Sequence, residues 1–193
     1  MKRAFLLPGM PDKTEFYNPN GKAQSDTGWF PWIRHELCIR DIPTMGIEWP
    51  RPYEPVYKAW LKVFEQFDAD SETILIAHSC GAGFLVRWLT QNDVQVGKVI
   101  LVAPWMNPFE NEVPNGIEKD FFHFEIDPKL VERTKGITVF YSDDDFRGVV
   151  RTAEKLEKVV SGIKMVKFHG YGHFDEVNMK TPEFPELLAE AIL

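Results

Sequence analysis

The chain has 193 residues, 44% of them hydrophobic, which is enough for a single domain over residues 1–193 with a sizeable core. Its 29 acidic residues outnumber 22 basic ones for a formal net charge of −7, and no run of lysine or arginine exceeds a pair. That balance argues against a phosphate-neutralising surface, so no nucleic-acid partner is expected. No stretch approaches the roughly 20 apolar residues of a membrane span. Lys2 and Arg3 precede an apolar run, but Pro8-Gly9 ends it too soon for a signal peptide. Cys38 and Cys80 lack metal-ligand spacing. A reduced, cytoplasmic protein with no membrane partner is the expectation, and nothing in the sequence reads on its oligomeric state.

In chain order, "RAFLLP" (residues 3–8) reads as a first strand. Residues 9–27 are polar and turn-rich, and a connection of that length beside a strand end is expected to be functional. "WFPWIRHEL" (29–37) reads as a helix and "ELCIRDI" (36–42) as a second strand. In the helix read over 54–67, Val56, Trp60, Val63, Phe64 and Phe67 share one face, the stripe a helix lays on a sheet. Strands follow at 73–78 and 98–104, separated by a helix over 81–91. Residues 105–129 break the alternation: Pro108, Pro114 and Asn115-Gly116 precede the aromatics Phe121, Phe122 and Phe124. This segment is expected to be an irregular, lid-like excursion holding a short aromatic helix, with Trp105, Phe121 and Phe122 lining a substrate pocket. Strands at 137–142 and 163–169 and helices at 149–160 and 182–193 complete the chain. The alternation predicts a doubly wound α/β fold, a mostly parallel six-stranded sheet with helices on both faces as a three-layer α/β/α sandwich.

The stretch "TILIAHSCGAGFLVRW" (73–88) places a serine between a buried strand and an amphipathic helix. Ligands of open α/β sheets bind beyond the carboxyl ends of strands. A tight turn there pushes the Ser79 hydroxyl outward and leaves the Cys80 N–H at a helix start, where the dipole favours an oxyanion. The residues two before and two after the serine must be small, and they are Ala77 and Gly81. This is the nucleophile elbow pattern G-x-S-x-G, with alanine for the first glycine.

A serine hydroxyl needs a base and an orienting acid, following it in the order acid, then histidine. Of five histidines, His173 lies in a glycine-rich loop, "HGYGHFDE", after the last strand. His169 and His173 stand four apart, but Gly170 and Gly172 make a zinc-binding helix there improbable, and no metal is expected. After the fifth strand, "YSDDDF" offers Asp143, Asp144 and Asp145.

The segments "FLLPG", Gly28-Trp29-Phe30-Pro31-Trp32, "IAHSCGA", "VFYSDDD" and "GYGHF" resemble the small serine hydrolases of the retinoblastoma-binding-protein-9 and YdeN type, in the α/β-hydrolase superfamily. The resemblance covers nearly the whole chain. It implies a compact α/β-hydrolase fold without the usual first hairpin, with Ser79 as nucleophile and His173 as base. It places the acid at Asp145, with Asp144 next in line and Asp143 last, and the oxyanion donors at the backbone N–H groups of Met10 and Cys80. Ala77, Tyr141 and Phe146 stand where the family has two glycines and a proline, and the loop after the first strand is longer. The implied activity is cofactor-free hydrolysis of a small-molecule carboxylic ester, thioester or amide. An acyltransferase, or a hydrolase-like binding module with little activity, are the alternatives.

Overall fold

The computed structural model describes residues 1–106 and 120–193. Among them are six strands: β1 (Arg3–Leu7), β2 (Thr44–Gly46), β3 (Thr73–His78), β4 (Val99–Val102), β5 (Ile137–Ser142) and β6 (Lys164–Phe168). They form one parallel sheet in the order β2-β1-β3-β4-β5-β6. The helices are α1 (Lys13–Phe16), α2 (Phe30–Cys38), α3 (Tyr57–Phe64), α4 (Ser79–Gln91), α5 (Arg147–Val159), α6 (Glu176–Met179) and α7 (Pro185–Ile192). No helix of the described residues is long and apolar enough to cross a membrane.

The central strands are continuous apolar runs because the sheet is covered on both faces. Phe5, Leu7, Leu75, Ala77, Val99, Leu101 and Val139 pack against Trp60 and Phe64 of α3, Phe84 and Leu85 of α4 and Leu156 of α5. Their alternates Ala4, Leu6, Ile74, Ile76, Ile100 and Val102 meet Phe30, Ile33 and Leu37 of α2 and Leu187 and Ala191 of α7. At the amino ends of the strands, buried Glu190 of α7 meets Lys98, Lys164 and Thr138. Burial raises the pKa of its carboxyl, but hydrogen bonds from Lys164, Lys98 and Thr138 outweigh that and hold it at about 2.

The strand order reverses at β1, which lies between β2 and β3. That switch point is where a doubly wound sheet opens a crevice beyond its carboxyl ends. Leu7 of β1 is paired with Ala77 of β3, so the turn after β1 and the corner after β3 lie side by side.

Three expectations change. Residues 36–42 do not form a strand: α2 continues to Cys38, and β2 comes later as the short edge strand Thr44–Gly46. Phe30, Ile33 and Leu37 bury one helical face, so the 3.6-residue period outlasts the β-like look of "LCI", and Ile39 is left 60% exposed. On α3, Trp60 and Phe64 are buried and Val63 partly so, but Tyr57 replaces Val56, which sits before the first helical turn, and the partly buried Phe67 lies beyond the helix end. The excursion falls largely on residues 107–119, outside the described residues. From residue 120 to 129 the chain forms turns rather than the expected short helix.

Phe121 is a core residue. It is fully buried, edge-on to Trp60 at 5.2 Å and to Tyr57 at 6.1 Å, and its carbonyl accepts a hydrogen bond from Arg87. Trp105 and Phe122 are partly buried and pack on the same core, ring to ring at 5.4 Å. Aromatic content announced a cluster but not the direction it faces. Phe121→Ala is therefore expected to cost about 3–5 kcal/mol of stability in denaturant unfolding. The ratio of rates between short and long acyl substrates should stay unchanged.

Candidate active site

Ser79 is the first residue of α4 and has φ +53°, in the left-handed region that a residue with a side chain rarely adopts. The corner is that tight because strand, helix and the neighbouring turn converge. A Cβ on Gly81 would lie 2.4 Å from the Pro8 carbonyl oxygen and 2.6 Å from that of Leu7. One on Gly9 would come within 2.8 Å of Ser79 Cβ. Ala77 is fully buried beneath the corner, so a methyl is accommodated where a glycine is usual. Two further bonds brace the turn: Trp49 Nε1 donates to the Pro8 carbonyl (2.9 Å), and the Trp105 N–H donates to the Ser79 carbonyl (3.2 Å).

His173 hangs on the loop after β6, and Asp145 follows the end of β5 by three residues. His173 Nε2 is 2.9 Å from Ser79 Oγ, and its Nδ1 is 2.9 and 3.1 Å from the two oxygens of Asp145. A carboxylate only accepts, so Nδ1 carries the proton and Nε2 is left to accept from the serine hydroxyl. The Asp145 side chain is 1% exposed and that of His173 is 20% exposed. The chain of bonds thus runs from a dry carboxylate to a hydroxyl at the surface of a cleft.

The other two aspartates have different partners. Asp144 Oδ1 accepts from the Ser142 hydroxyl (2.5 Å) and from the Gly172 N–H (3.1 Å). The Ser142 bond, seconded by Gly172, holds its carboxyl below the usual carboxylate range. Asp143 faces outward to His169 Nδ1 (2.6 Å) and Lys167 (3.3 Å). His169 and His173 thus pair with different aspartates, and no group of described residues has the makings of a metal site.

Ser79 and His173 open onto a cleft of about 190 Å³ lined by the turn Pro8–Pro11 and by Glu15, Thr27, Phe30, His78 and Asp175. A second compartment of about 320 Å³ adjoins it through Glu15, Thr27, Phe30, His78 and Asp175, and adds Trp29, Phe174, Glu176 and Val177. The larger is within the size range of small-molecule sites. Met10 lies in the cleft lining, and Cys80 is the second residue of α4, among the N–H groups that a helix leaves without an intrahelical partner. Gly9, Met10, Pro11, Glu15, Gln24 and Thr27 of the segment 9–27 thus line the cleft. Sequence reasoning missed Asp175 and Glu176, although "HFDE" runs directly on from His173. It also missed Phe146, whose 65% exposed ring stands 5.1 Å from that of His173.

The sequence profile of the family described as Serine hydrolase matches residues 19–188. The chain is 28% identical over 187 residues to the serine hydrolase RBBP9 of Rattus norvegicus, covering 92% of each chain. It is 27% identical over 161 residues to the hydrolase YdeN of Bacillus subtilis, covering 80% of this chain and 82% of that one. The crystal structure of the B. subtilis ydeN product superimposes with a TM-score of 0.77 at 21% identity, over 98% of this chain and 96% of that one. With the fold, the corner serine and the profile in agreement, the chain belongs to the serine hydrolase family of the YdeN and RBBP9 type, within the α/β-hydrolase superfamily.

Proposed function

We propose that the protein hydrolyses a small carboxylic ester, with thioesters or amides as chemical relatives, through an acyl-enzyme on Ser79. The observation that carries this reading is the 2.9 Å approach of Ser79 Oγ to His173 Nε2, with Nδ1 held by the dry Asp145 carboxylate, at the floor of a cleft. As Oγ attacks the carbonyl carbon, Nε2 takes its proton, and Asp145 stabilises the imidazolium. The Met10 and Cys80 N–H groups receive the oxyanion. The imidazolium then protonates the leaving oxygen, and water, activated by the same nitrogen, releases the acid and restores the serine.

The lining bears on the substrate. Glu15, Asp175 and Glu176 supply carboxylates, and no lysine or arginine is among the described residues that line the two compartments. An anionic substituent meets like charge there, whereas a neutral one can rest on Phe30 and Trp29. The test is a panel of esters graded in acyl length and paired between neutral and carboxylate-bearing forms, with products analysed with and without an added alcohol. Neutral esters should turn over at least about tenfold faster in kcat/KM, a difference of roughly 1.4 kcal/mol, and the free acid should be the product. A folded protein that cleaves none of them and takes no fluorophosphonate label is a binding module.

A further inference from the structure

His78 ends β3, immediately before the serine, and its side chain is not part of the hydrogen-bonded chain that ends at Ser79. Its Nε2 lies 2.9 Å from the main-chain carbonyl oxygen of His173, and its ring is 4.8 Å from the His173 ring. A carbonyl only accepts, so His78 Nε2 carries a proton and donates it. Trp29 and Phe30 stand edge-on to the imidazole at 5.9 and 6.3 Å and fix its plane.

The loop that carries His173 needs such an anchor. Gly170, Gly172 and Phe174 all have positive φ, at +75°, +48° and +56°, so the histidine is flanked on both sides by left-handed backbone. On its amino side the loop is tied to the end of β5 and the turn after it, where the Tyr171 N–H donates to Ser142 Oγ (3.2 Å) and the Gly172 N–H donates to Asp144. Those bonds reach the loop from the acid's side of the site. The His78 bond reaches it from the serine's side, through a residue covalently joined to Ser79. It spans 95 residues of sequence with one hydrogen bond.

We infer that His78 is a positioning residue: its Nε2–H, bonded to the His173 carbonyl, sets the reach of the His173 imidazole to Ser79 Oγ. The inference rests on the proposed hydrolase mechanism, in which a displacement of about 1 Å costs up to about 10²-fold in rate. Burial, with His173 beside it, lowers the pKa of His78 from 6.5 to about 3. The ring therefore donates as a neutral group and sets no positive charge against the imidazolium that forms on His173.

The test compares His78→Leu, which keeps an apolar side chain without a donor, with His78→Gln, whose amide nitrogen can reach the same carbonyl. His78→Leu is expected to lower kcat and the rate of fluorophosphonate labelling by about 10–100-fold, with KM within about threefold of wild type. His78→Gln should recover kcat to within about fivefold. In the unmutated protein at pH 7, nitrogen-15 spectra of the imidazoles should show His78 neutral, with its proton on Nε2 and slow to exchange. Wild-type kcat in His78→Leu, or equal losses in two folded variants, would overturn the inference. So would a proton on Nδ1 in place of Nε2, and this readout decides the matter if the leucine variant fails to fold. Failure of the unmutated protein to take the label would instead sink the hydrolase mechanism, while the spectra would still report the bond.

Discussion

Ser79→Ala is expected to abolish fluorophosphonate labelling and to lower ester turnover by a factor on the order of 10⁶. The hydroxyl is the atom that forms the acyl bond, and the cleft offers no second hydroxyl bonded to an imidazole among the described residues. Stability should barely move. Alanine at φ +53° meets the same backbone strain as serine, so the corner is neither relieved nor worsened. The lost hydrogen bond leaves Nε2 facing the cleft, on a side chain already 20% exposed to water. Calorimetry and circular dichroism on the variant check this, and labelling that survived would remove the assignment of Ser79. Cys80 is the control. Its side chain is fully buried, burial pushes its thiol pKa well above the ordinary cysteine value, and its proposed contribution is a backbone N–H. Cys80→Ala should therefore keep activity within about threefold.

The parts of this protein legible in its sequence are those in which side-chain pattern and backbone conformation say the same thing. Leu75, Ile76 and Ala77 are buried on alternate faces of a central strand, and a run that is apolar on every residue has few other places to go. Serine, aspartate and histidine follow β3, β5 and β6 in turn, so a parallel sheet delivers all three to one edge. The failures occur where the two signals part. "LCI" at 37–39 has strand-like composition, yet Leu37 belongs to the helical face of Phe30 and Ile33. Phe121 carries the composition of a pocket wall, and only its rings' neighbours, Trp60 and Tyr57, show that it points inward. His78 lay beyond the reach of pattern because its partner is a main-chain carbonyl, which has no letter in the sequence. The left-handed backbone of Phe174 is equally silent, since nothing about a phenylalanine announces a positive φ.

The three consecutive aspartates after β5 offer the sharpest mutational contrast, because the same chemical change at adjacent positions is expected to have three different outcomes. Asp145→Asn should lower turnover by on the order of 10⁴. The Asp145 carboxylate accepts from His173 Nδ1 through both oxygens, which keeps the proton on that nitrogen and leaves Nε2 free for the Ser79 hydroxyl. An asparagine amide can instead donate to Nδ1, driving the ring proton to Nε2, where it faces the serine and no longer allows proton abstraction. Asp144→Asn should cost about tenfold: its Oδ1 holds the Ser142 hydroxyl and the Gly172 N–H, so it acts on the shape of the His173 loop and not on the imidazole. Asp143→Asn should be nearly normal, since its partners His169 and Lys167 are exposed and water screens surface pairs of this kind. Steady-state kinetics on the three purified variants, each with a melting temperature to show that it is folded, give the ranking. Should Asp144→Asn prove the crippled variant and Asp145→Asn the mild one, the orienting carboxylate would move by one residue, and the bidentate approach of Asp145 to His173 would lose its mechanistic meaning.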